Sequence, residues 1–414
     1  MKLKLCCMQL GVVLSVLSTS IVHAKDIFTT ELQVGNNTQT IGYQSISDVS
    51  DQFDDARMRQ LFPNYTDTSA VNGKVNLRDV PVNLSYAQDS STLVFKIPSL
   101  GIERTYVGAT REESKDKFLD ALKGEDQDLL KKLTQEWVKN SPIDPVAGNP
   151  TSLLSNMVGS MTDNLSDMAS DQIYGVKDQS SSSFSVMPRF GRYTQAGYGV
   201  DVYNLPLTYS HWFDSKQMGI VFDAPITVAD TENGSLSGSI NFGLGLNFKV
   251  YSSESINWFL MPQMRVGVTG SEDFGTAALI YGGGLSSQAQ FPLNEHSALS
   301  IINMISFYKT GSINIGDYDS GYDLENTVLR NGFEYSHVLR RSVAGSPLIA
   351  KVGYARTDYS GDQLFSELSH DISGSIGFKN LKPKAWIDEY RIGFTYTHAD
   401  NDLRGFTVNA GYTF

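Results

Sequence analysis

The sequence contains only two cysteines, Cys6 and Cys7, and both lie within its first 24 residues. That segment has a basic start, an apolar run over residues 10–17 and a small-residue exit at Ala24, which is typical of a secretory signal peptide cleaved after Ala24. The chain from residue 25 onward has no cysteine. This excludes disulfides and cysteine–metal sites from the mature protein.

Long hydrophobic runs and basic runs are also missing. After residue 24, no stretch approaches the roughly 18 apolar residues that a membrane-spanning helix needs. The 33 basic residues are outnumbered by 45 acidic ones, and the net charge is −12. We therefore expect no nucleic acid as a partner. A membrane barrel is not excluded, because its hydrophobicity lies in alternation rather than in runs.

Alternation of apolar and polar residues dominates the second half of the chain. In the last residues, apolar Phe406, Val408, Tyr412 and Phe414 alternate with small or polar ones, as in a strand with two different faces. About twelve such segments follow one another. Their approximate spans are 182–190, 198–213, 217–229, 235–251, 255–269, 274–291, 296–309, 325–339, 347–359, 367–379, 389–399 and 403–414.

The polar face of these segments indicates a wet interior. In the fourth segment, Leu244 and Leu246 alternate with Gly243, Gly245 and Asn247. Residues so small and polar do not make a packed core, which argues against a soluble β-sandwich. We therefore predict an all-β membrane protein: an antiparallel transmembrane β-barrel of about twelve strands. The lumen would be lined by many Ser, Asn and Thr residues and by Lys249, Arg265, Asp371 and Arg391.

An even number of strands places both ends of the barrel on one side of the membrane. Short turns at 214–216, 252–254 and 292–295 would face the periplasm, as would the longer turn at 380–388. The connections at 229–234, 310–324 and 360–366 would face outward. Aromatic residues near the strand ends would form the interfacial girdles: Trp212, Phe213, Tyr251, Phe291, Tyr308, Tyr390 and Phe414.

One strand breaks the alternation. In the second segment, Val200 and Val202 are out of phase with Leu205 and Leu207. This change of phase predicts a β-bulge near Asn204 to Pro206.

The region before the barrel has mixed character. Residues 25–148 predict a small α+β domain with short strands and, after a Thr110-x-x-Glu113 capping box, one or two amphipathic helices over about 111–140. Residues 149–178 predict a further amphipathic helix and a linker, and residues 179–414 the barrel. The apolar side of that helix comprises Leu154, Met157, Met161, Leu165 and Met168.

This order of segments resembles an autotransporter translocator domain, and most of all the solitary autotransporter-like barrels. The resemblance covers about residues 150–414 and implies that the helix threads the pore. It also implies that Phe406, Val408, Tyr412 and Phe414 form the signal read by the barrel-assembly machinery. The chain departs from the family in one respect, because residues 25–148 are too few and too varied for a β-helical passenger.

The family resemblance also raises self-cleavage inside the pore at an asparagine of the helix. Asn156 and Asn164 are candidates by position alone, and neither belongs to an Asn-Asn pair. The favoured interpretation is that both are solvated polar positions on a lumen helix.

The remaining chemistry-bearing residues predict no catalytic or metal site. His370 and Asp371 are adjacent, so on a strand they point to opposite faces, and His398 would lie outward in the headgroup zone. The acidic segment 317–325 has the alternate carboxylates of a calcium loop, but Tyr322 occupies the position that requires glycine. We therefore expect no enzyme activity, no cofactor and no specific metal.

Three functions remain open. The first is an outer-membrane barrel of Gram-negative type that anchors or translocates its short N-terminal domain, its pore plugged by its own helix. The second is a small-solute diffusion channel, and the third an adhesin acting through acidic outer loops. The expected partners are outer-membrane lipid, lipopolysaccharide, the barrel-assembly machinery and periplasmic chaperones, with the protein itself a monomer.

Overall fold

The computed structural model describes residues 25–121, 127–173, 182–213, 217–311, 313–315, 318–343, 345–379 and 389–413. The predicted signal peptide, the turns at 214–216 and 380–388, and Phe414 lie outside these residues. Within the described ranges, no helix is both long and apolar enough to cross a membrane.

The N-terminal region is an α+β unit with an antiparallel six-stranded sheet in the order β2-β1-β3-β4-β5-β6. Its strands are β1 (Phe28–Val34), β2 (Asn37–Tyr43), β3 (Val71–Leu77), β4 (Val80–Tyr86), β5 (Leu93–Ile97) and β6 (Ile102–Tyr106). Its helices are α1 (Ile46–Asp51), α2 (Asp55–Leu61), α3 (Arg111–Asp120) and α4 (Gln127–Asn140), with a 3-10 turn at Pro98–Leu100. Buried and exposed side chains alternate along β1 and β3, so one face of the sheet is buried and the other is exposed and polar.

The predicted capping box is confirmed at the start of α3. The Thr110 hydroxyl accepts a hydrogen bond from the Glu113 backbone N–H at 3.2 Å. The Glu113 carboxylate accepts in turn from the backbone N–H of Ala109 at 2.7 Å. Two backbone donors that the helix itself leaves without partners are thereby satisfied.

The barrel has twelve antiparallel strands, as predicted. They are β7 (Ser182–Val186) with β8 (Arg189–Gln195), β9 (Tyr198–Leu205) with β10 (Leu207–Trp212), β11 (Met218–Asp223) with β12 (Ile226–Thr231), β13 (Leu236–Ser252), β14 (Asn257–Ser271), β15 (Thr276–Asn294), β16 (Ser297–Gly311), β19 (Glu325–Val343), β20 (Ser346–Gly361), β21 (Leu368–Lys379), β22 (Glu389–Ala399) and β23 (Arg404–Thr413). A hairpin of β17 (Ile313–Ile315) and β18 (Tyr318–Ser320) lies between β16 and β19. Pairing of β23 with β7 and β8 closes the barrel.

The predicted bulge near Pro206 is wrong. Arg189 pairs with Asn204 before the proline and Val186 pairs with Leu207 after it, so the register between the first two strands is the same on both sides. The ladder is interrupted there without a change of phase, and proline has no N–H to donate to it. Val200 and Val202 simply point inward, where both are buried.

The outer wall of the barrel is apolar and exposed. Met264 is 64% exposed, Val352 58% and Phe333 50%, while inward neighbours such as Asn241 and Asn247 are buried. A wall of this kind is stable in lipid, where closed barrels satisfy every backbone hydrogen bond. The molecule is an outer-membrane β-barrel of the Gram-negative type. Two of the predicted girdle residues are misplaced, because Tyr308 and Trp212 point inward.

Candidate functional site

The barrel lumen holds one long helix, α5 (Leu153–Ile173). Its apolar side is fully buried: Leu154, Met157 and Met161 are at most 3% exposed. They pack with inward-facing apolar residues of the barrel wall, which are Ala278, Ile280, Met304, Tyr308 and Val328. One half of the lumen wall is therefore an apolar seat for the helix.

The seat also forms hydrogen bonds to α5. Gln263 donates from its side-chain amide to the Met161 backbone carbonyl at 2.9 Å, and Tyr308 contacts the Met161 sulfur at 3.2 Å. The sequence carried a signal for this seat. Residues 277–281 of β15 are apolar at every position, which departs from the alternation of a strand with a polar lumen face.

A buried charge cluster fixes the middle of α5. The Arg265 guanidinium lies 2.5 Å from the Asp223 carboxylate and donates to the Asn241 side chain at 2.6 Å. The side-chain amide of Asn164 on the helix donates to Asp223 at 2.8 Å. The side chains of Arg265 and Asp223 are 0% and 3% exposed. A buried pair of this kind is strongly destabilised when one partner is removed.

The opposite side of α5 faces a polar cavity of about 330 Å³. Its helix side is made of small and polar residues that include Ser155, Asn156, Gly159, Ser160 and Asp163. The wall side carries ion pairs contributed mainly by β19–β23. Arg330 pairs with Asp371 at 2.9 Å, Lys351 with Glu334 at 3.0 Å, and Arg189 with Asp163 of the helix at 2.8 Å. The lumen thus has an apolar half that binds the helix and a charged half that leaves space.

The four charged residues predicted to face the lumen are dispersed within it. Arg265 belongs to the buried cluster, whereas Asp371 and Arg391 line the polar cavity. Arg391 also bonds to Glu389, with 3.1 Å between Nε and Oε1. Lys249 is half-buried near the end of β13 that lies farther from the N-terminal region. The structure brings none of these four together into one site.

The remaining predicted residues lie as follows. The side chains of Leu165 and Met168 fall outside the described part of α5. Phe406, Val408 and Tyr412 lie on the outward face of β23, where the Phe406 ring stacks on Phe394.

The two asparagines of α5 have different surroundings. Asn156 donates to the backbone carbonyls of Thr151 and Ser152 at 3.2 and 2.9 Å. Asn164 is only 5% exposed, because it bonds to Asp223. The interpretation of Asn164 as a solvated position is therefore wrong.

The N-terminal region covers one mouth of the barrel. Its buried face, which includes Val80 and Trp137, forms a single hydrophobic core with the barrel residues Tyr198, Val200 and Phe274. Backbone hydrogen bonds link the two parts, among them Ile46 N–H to the Asp273 carbonyl at 2.9 Å and Phe365 N–H to the Val138 carbonyl at 2.9 Å. This core explains why two valines of β9 face inward.

A buried ion pair lies at the centre of the same contact. Arg78, in the β3–β4 turn, pairs with Asp144 at 3.2 Å, and both side chains are 0% exposed. The guanidinium stacks 3.7 Å from the Trp137 ring. From the barrel side, the Tyr322 hydroxyl donates to Asp144 at 3.3 Å and contacts the Thr276 hydroxyl. Burial raises the pKa of Asp144, and the Arg78 charge opposes that rise.

Part of the acidic loop 317–325 belongs to this contact. Tyr322 and Leu324 are buried, and Asp323 pairs with Lys131 of α4 at 2.6 Å. The Lys131 hydrogen bond lowers the pKa of Asp323. The loop segment that resembled a calcium loop therefore binds the N-terminal region at these positions.

Three of the histidines, His211, His337 and His370, form hydrogen bonds with hydroxyl groups. His211 and His337 each lie 2.8 Å from a serine hydroxyl, of Ser182 and Ser297 respectively. Among the described residues, no group of three His, Cys, Asp or Glu side chains is arranged to hold a metal ion.

No protein-family model matches the chain, and no curated protein does. Several solved structures share the barrel architecture. The β domain of the Bordetella autotransporter BrkA is 12% identical, with 56% of this chain and 99% of that one covered and a TM-score of 0.42. The translocator domain of the autotransporter NalP from Neisseria meningitidis is 9% identical, with 63% and 95% covered and a TM-score of 0.41. The KdgM porin is 11% identical, with 56% and 99% covered and a TM-score of 0.31. At these identities and TM-scores, none of the similarities identifies a function.

Proposed function

We propose that this outer-membrane barrel holds its own N-terminal domain at the cell surface and uses α5 as both tether and plug. The observation that supports this proposal is the position of the N-terminal region. It docks on the barrel end that carries the β12–β13 turn, the β14–β15 turn and the β20–β21 loop. Ser182 and Thr413, which bound the barrel sheet, lie at the opposite end. The chain must then run the length of the lumen, and α5 does so.

The orientation follows from the general asymmetry of such barrels. Their short turns face the periplasm and their longer loops face outward. The longest connection between two barrel strands, residues 312–324, lies at the end that carries the N-terminal region, and the nine-residue connection 380–388 lies at the other end. That end is therefore the outer one, and the domain is displayed.

The proposed role is non-catalytic and needs no cofactor. The barrel would act as a monomer, with outer-membrane lipid and lipopolysaccharide around it, and would depend on periplasmic chaperones and the barrel-assembly machinery for insertion. A surface adhesin that acts through acidic outer loops is a weaker alternative, because part of loop 317–325 is occupied by the docked domain.

Cysteine labelling on intact cells tests the orientation. The chain from residue 25 has no cysteine, so a single new one reports its own location. Lys74→Cys, at a side chain 73% exposed on the N-terminal sheet, is expected to react with a membrane-impermeant maleimide. Arg340→Cys, at an exposed position on the opposite rim, is expected to react only after the outer membrane is permeabilised. The reverse labelling pattern would refute surface display.

A second candidate function is a small-solute channel, which the polar cavity beside α5 favours. Gly159 lies on the cavity side of the helix, and a Cβ built there meets nothing within 4 Å. If ions pass through this cavity, Gly159→Trp is expected to abolish the planar-bilayer conductance. Gly238→Trp, at an exposed outer-wall glycine with equal space, serves as the control. Equal conductance in both variants, or none in the unmodified protein, would exclude this route.

A further inference from the structure

A row of basic side chains crosses four neighbouring strands on the outer wall of the barrel. Arg356 pairs in register with His370, His370 with His398, and His398 with Arg404. Residues directly opposite on adjacent strands have Cβ atoms about 5 Å apart. The four therefore form one line, on the order of 14 Å long, across β20–β23. We name these four residues the basic row.

The side chains of the basic row point outward. Arg356, His398 and Arg404 are exposed, while the adjacent Thr357, Thr397 and Leu403 are at most 6% exposed. The row therefore faces the surroundings of the barrel and not the lumen.

The height of the basic row corresponds to the polar headgroups of the membrane. Two residues toward the membrane centre, the next row in register consists of Tyr354, Ile372, Tyr396 and Phe406. Aromatic residues of this kind mark the boundary between hydrocarbon and headgroups. Further toward the centre the wall is apolar, with exposed Val352, Phe394 and Val408. On the other side of the row the loops begin.

The hydrogen bonds of the row leave donors available. Within the described part of the chain, Arg404 forms no ion pair. The Tyr354 hydroxyl lies 2.8 Å from Nδ1 of His370, and when that hydroxyl donates, Nε2 of the ring carries the proton. Arg356 is partly neutralised by Asp358, at 2.9 Å between Nε and Oδ2. The loop carboxylates nearby accept hydrogen bonds from neighbouring segments of the rim: Asp362 from the Glu325 N–H and Asp400 from the Glu367 N–H.

We propose that the basic row binds the phosphate groups of lipopolysaccharide in the outer leaflet. Arginine and imidazole N–H groups are strong donors to phosphate oxygens, and the length of the row suits two phosphates on one sugar headgroup. The aromatic row beneath then packs against the start of the acyl chains. This inference uses the orientation proposed above, in which the row lies at the outer rim.

The test is a binding titration of the full-length protein in non-ionic detergent with bisphosphorylated lipid A. Arg404→Gln combined with His398→Gln is expected to weaken binding at least about fivefold. The loss of a single basic residue near an anionic surface already weakens binding by about this factor. The matched control is Arg340→Gln combined with Arg341→Gln, two exposed arginines at the opposite rim, which is expected to bind normally. Arg404→Lys keeps the charge and should retain most of the affinity.

Two further ligands distinguish the source of the phosphate. Dephosphorylated lipid A is expected to bind the unmodified protein no better than it binds the Arg404→Gln/His398→Gln variant. Phosphatidylglycerol is expected to show no loss in that variant. Equal lipid A binding by variant and unmodified protein would overturn the proposal, as would an equal loss for phosphatidylglycerol. These titrations are carried out in detergent and do not depend on the orientation of the protein in the membrane. A loss of lipid A binding can therefore be absent while cysteine labelling shows surface display, and it can be present while labelling refutes surface display.

Discussion

At the scale of single residues, the stability of the molecule depends on a few charged side chains that are almost fully buried. Arg265 and Asp223 both lie on the barrel wall, and Asp223 binds α5 through Asn164. Arg78 and Asp144 both lie in the N-terminal region, and Asp144 binds the barrel mouth through Tyr322. Surface ion pairs contribute little to stability, whereas an unpaired charge in a buried place is expensive. These two pairs are therefore where single substitutions should have their largest effects.

We expect Asp223→Asn to destabilise the folded barrel by roughly 3–5 kcal/mol, because Arg265 then remains buried without its carboxylate. The measurement is the urea midpoint of the shift between folded and unfolded bands on a gel. Glu325→Gln removes a carboxylate that is 66% exposed and pairs with Lys309, so it should change the midpoint little. Equal midpoints for both variants would show that the lumen pair is hydrated.

Arg78→Met should release the N-terminal region from the barrel mouth without unfolding the barrel. It leaves Asp144 buried without its positive partner, and the stacking on Trp137 is weakened. The expected result is rapid trypsin cleavage within residues 25–148, while the barrel band resists. Lys74→Met removes a positive charge at an exposed position of the same domain and should leave the cleavage rate unchanged.

At the scale of elements, α5 and the barrel wall are matched face to face. The helix has an apolar side for β14–β16 and a polar side for the cavity, and the wall has the same division. The burial of each large apolar side chain contributes about 1.5–3 kcal/mol. The helix is thus fixed in rotation as well as in position.

This rotation can be tested by placing a carboxylate on each side of α5. Met157→Asp buries a charge in the apolar seat and should displace the helix, which would raise the planar-bilayer conductance and lower the urea midpoint. Ser160→Asp places the same group beside the polar cavity, where water and Arg189 can accommodate it, and should have a small effect. If Ser160→Asp raised the conductance more than Met157→Asp, the helix orientation described here would be wrong.

At the scale of the whole molecule, the N-terminal region and the barrel share one hydrophobic core. The region closes one mouth of the barrel through side chains of its own sheet and of the barrel rim, so the two parts form a single folded unit. The centre of this contact consists of apolar side chains around the fully buried Arg78–Asp144 pair, and its exposed edge carries a second pair, Lys131 with Asp323. Docking is therefore expected to persist in high salt, which screens the edge more than the centre.

The intact barrel should show heat-modifiable migration on a gel. A closed barrel withstands detergent until it is heated, because every strand pairs with two neighbours. The unheated full-length protein is expected to run at a different position from the boiled one. A single unshifted band would contradict the closed barrel, and the Asp223→Asn protein should lose the shift at a lower temperature than the unmodified protein.

The sequence alone determined the barrel and its strand boundaries. Alternation depends only on neighbours in the chain, so segments such as 235–251 and 389–399 could be located within a few residues. It also located α5, whose apolar positions Leu154, Met157 and Met161 recur at helical spacing. These features are local, and each strand or helix shows its period independently of the others.

Only the tertiary structure decided which inward positions meet. We predicted a bulge at Val200 and Val202 because we expected every lumen-facing side chain to be polar. The docked N-terminal region instead makes the mouth of the lumen apolar, so both valines face inward without a bulge. The partners Arg265 and Asp223 are 42 residues apart, and Arg78 and Asp144 are 66 apart. Likewise, the basic row joins residues from four strands that are neighbours only in the closed sheet. Contacts of this kind depend on register and closure, and no short stretch of sequence contains them.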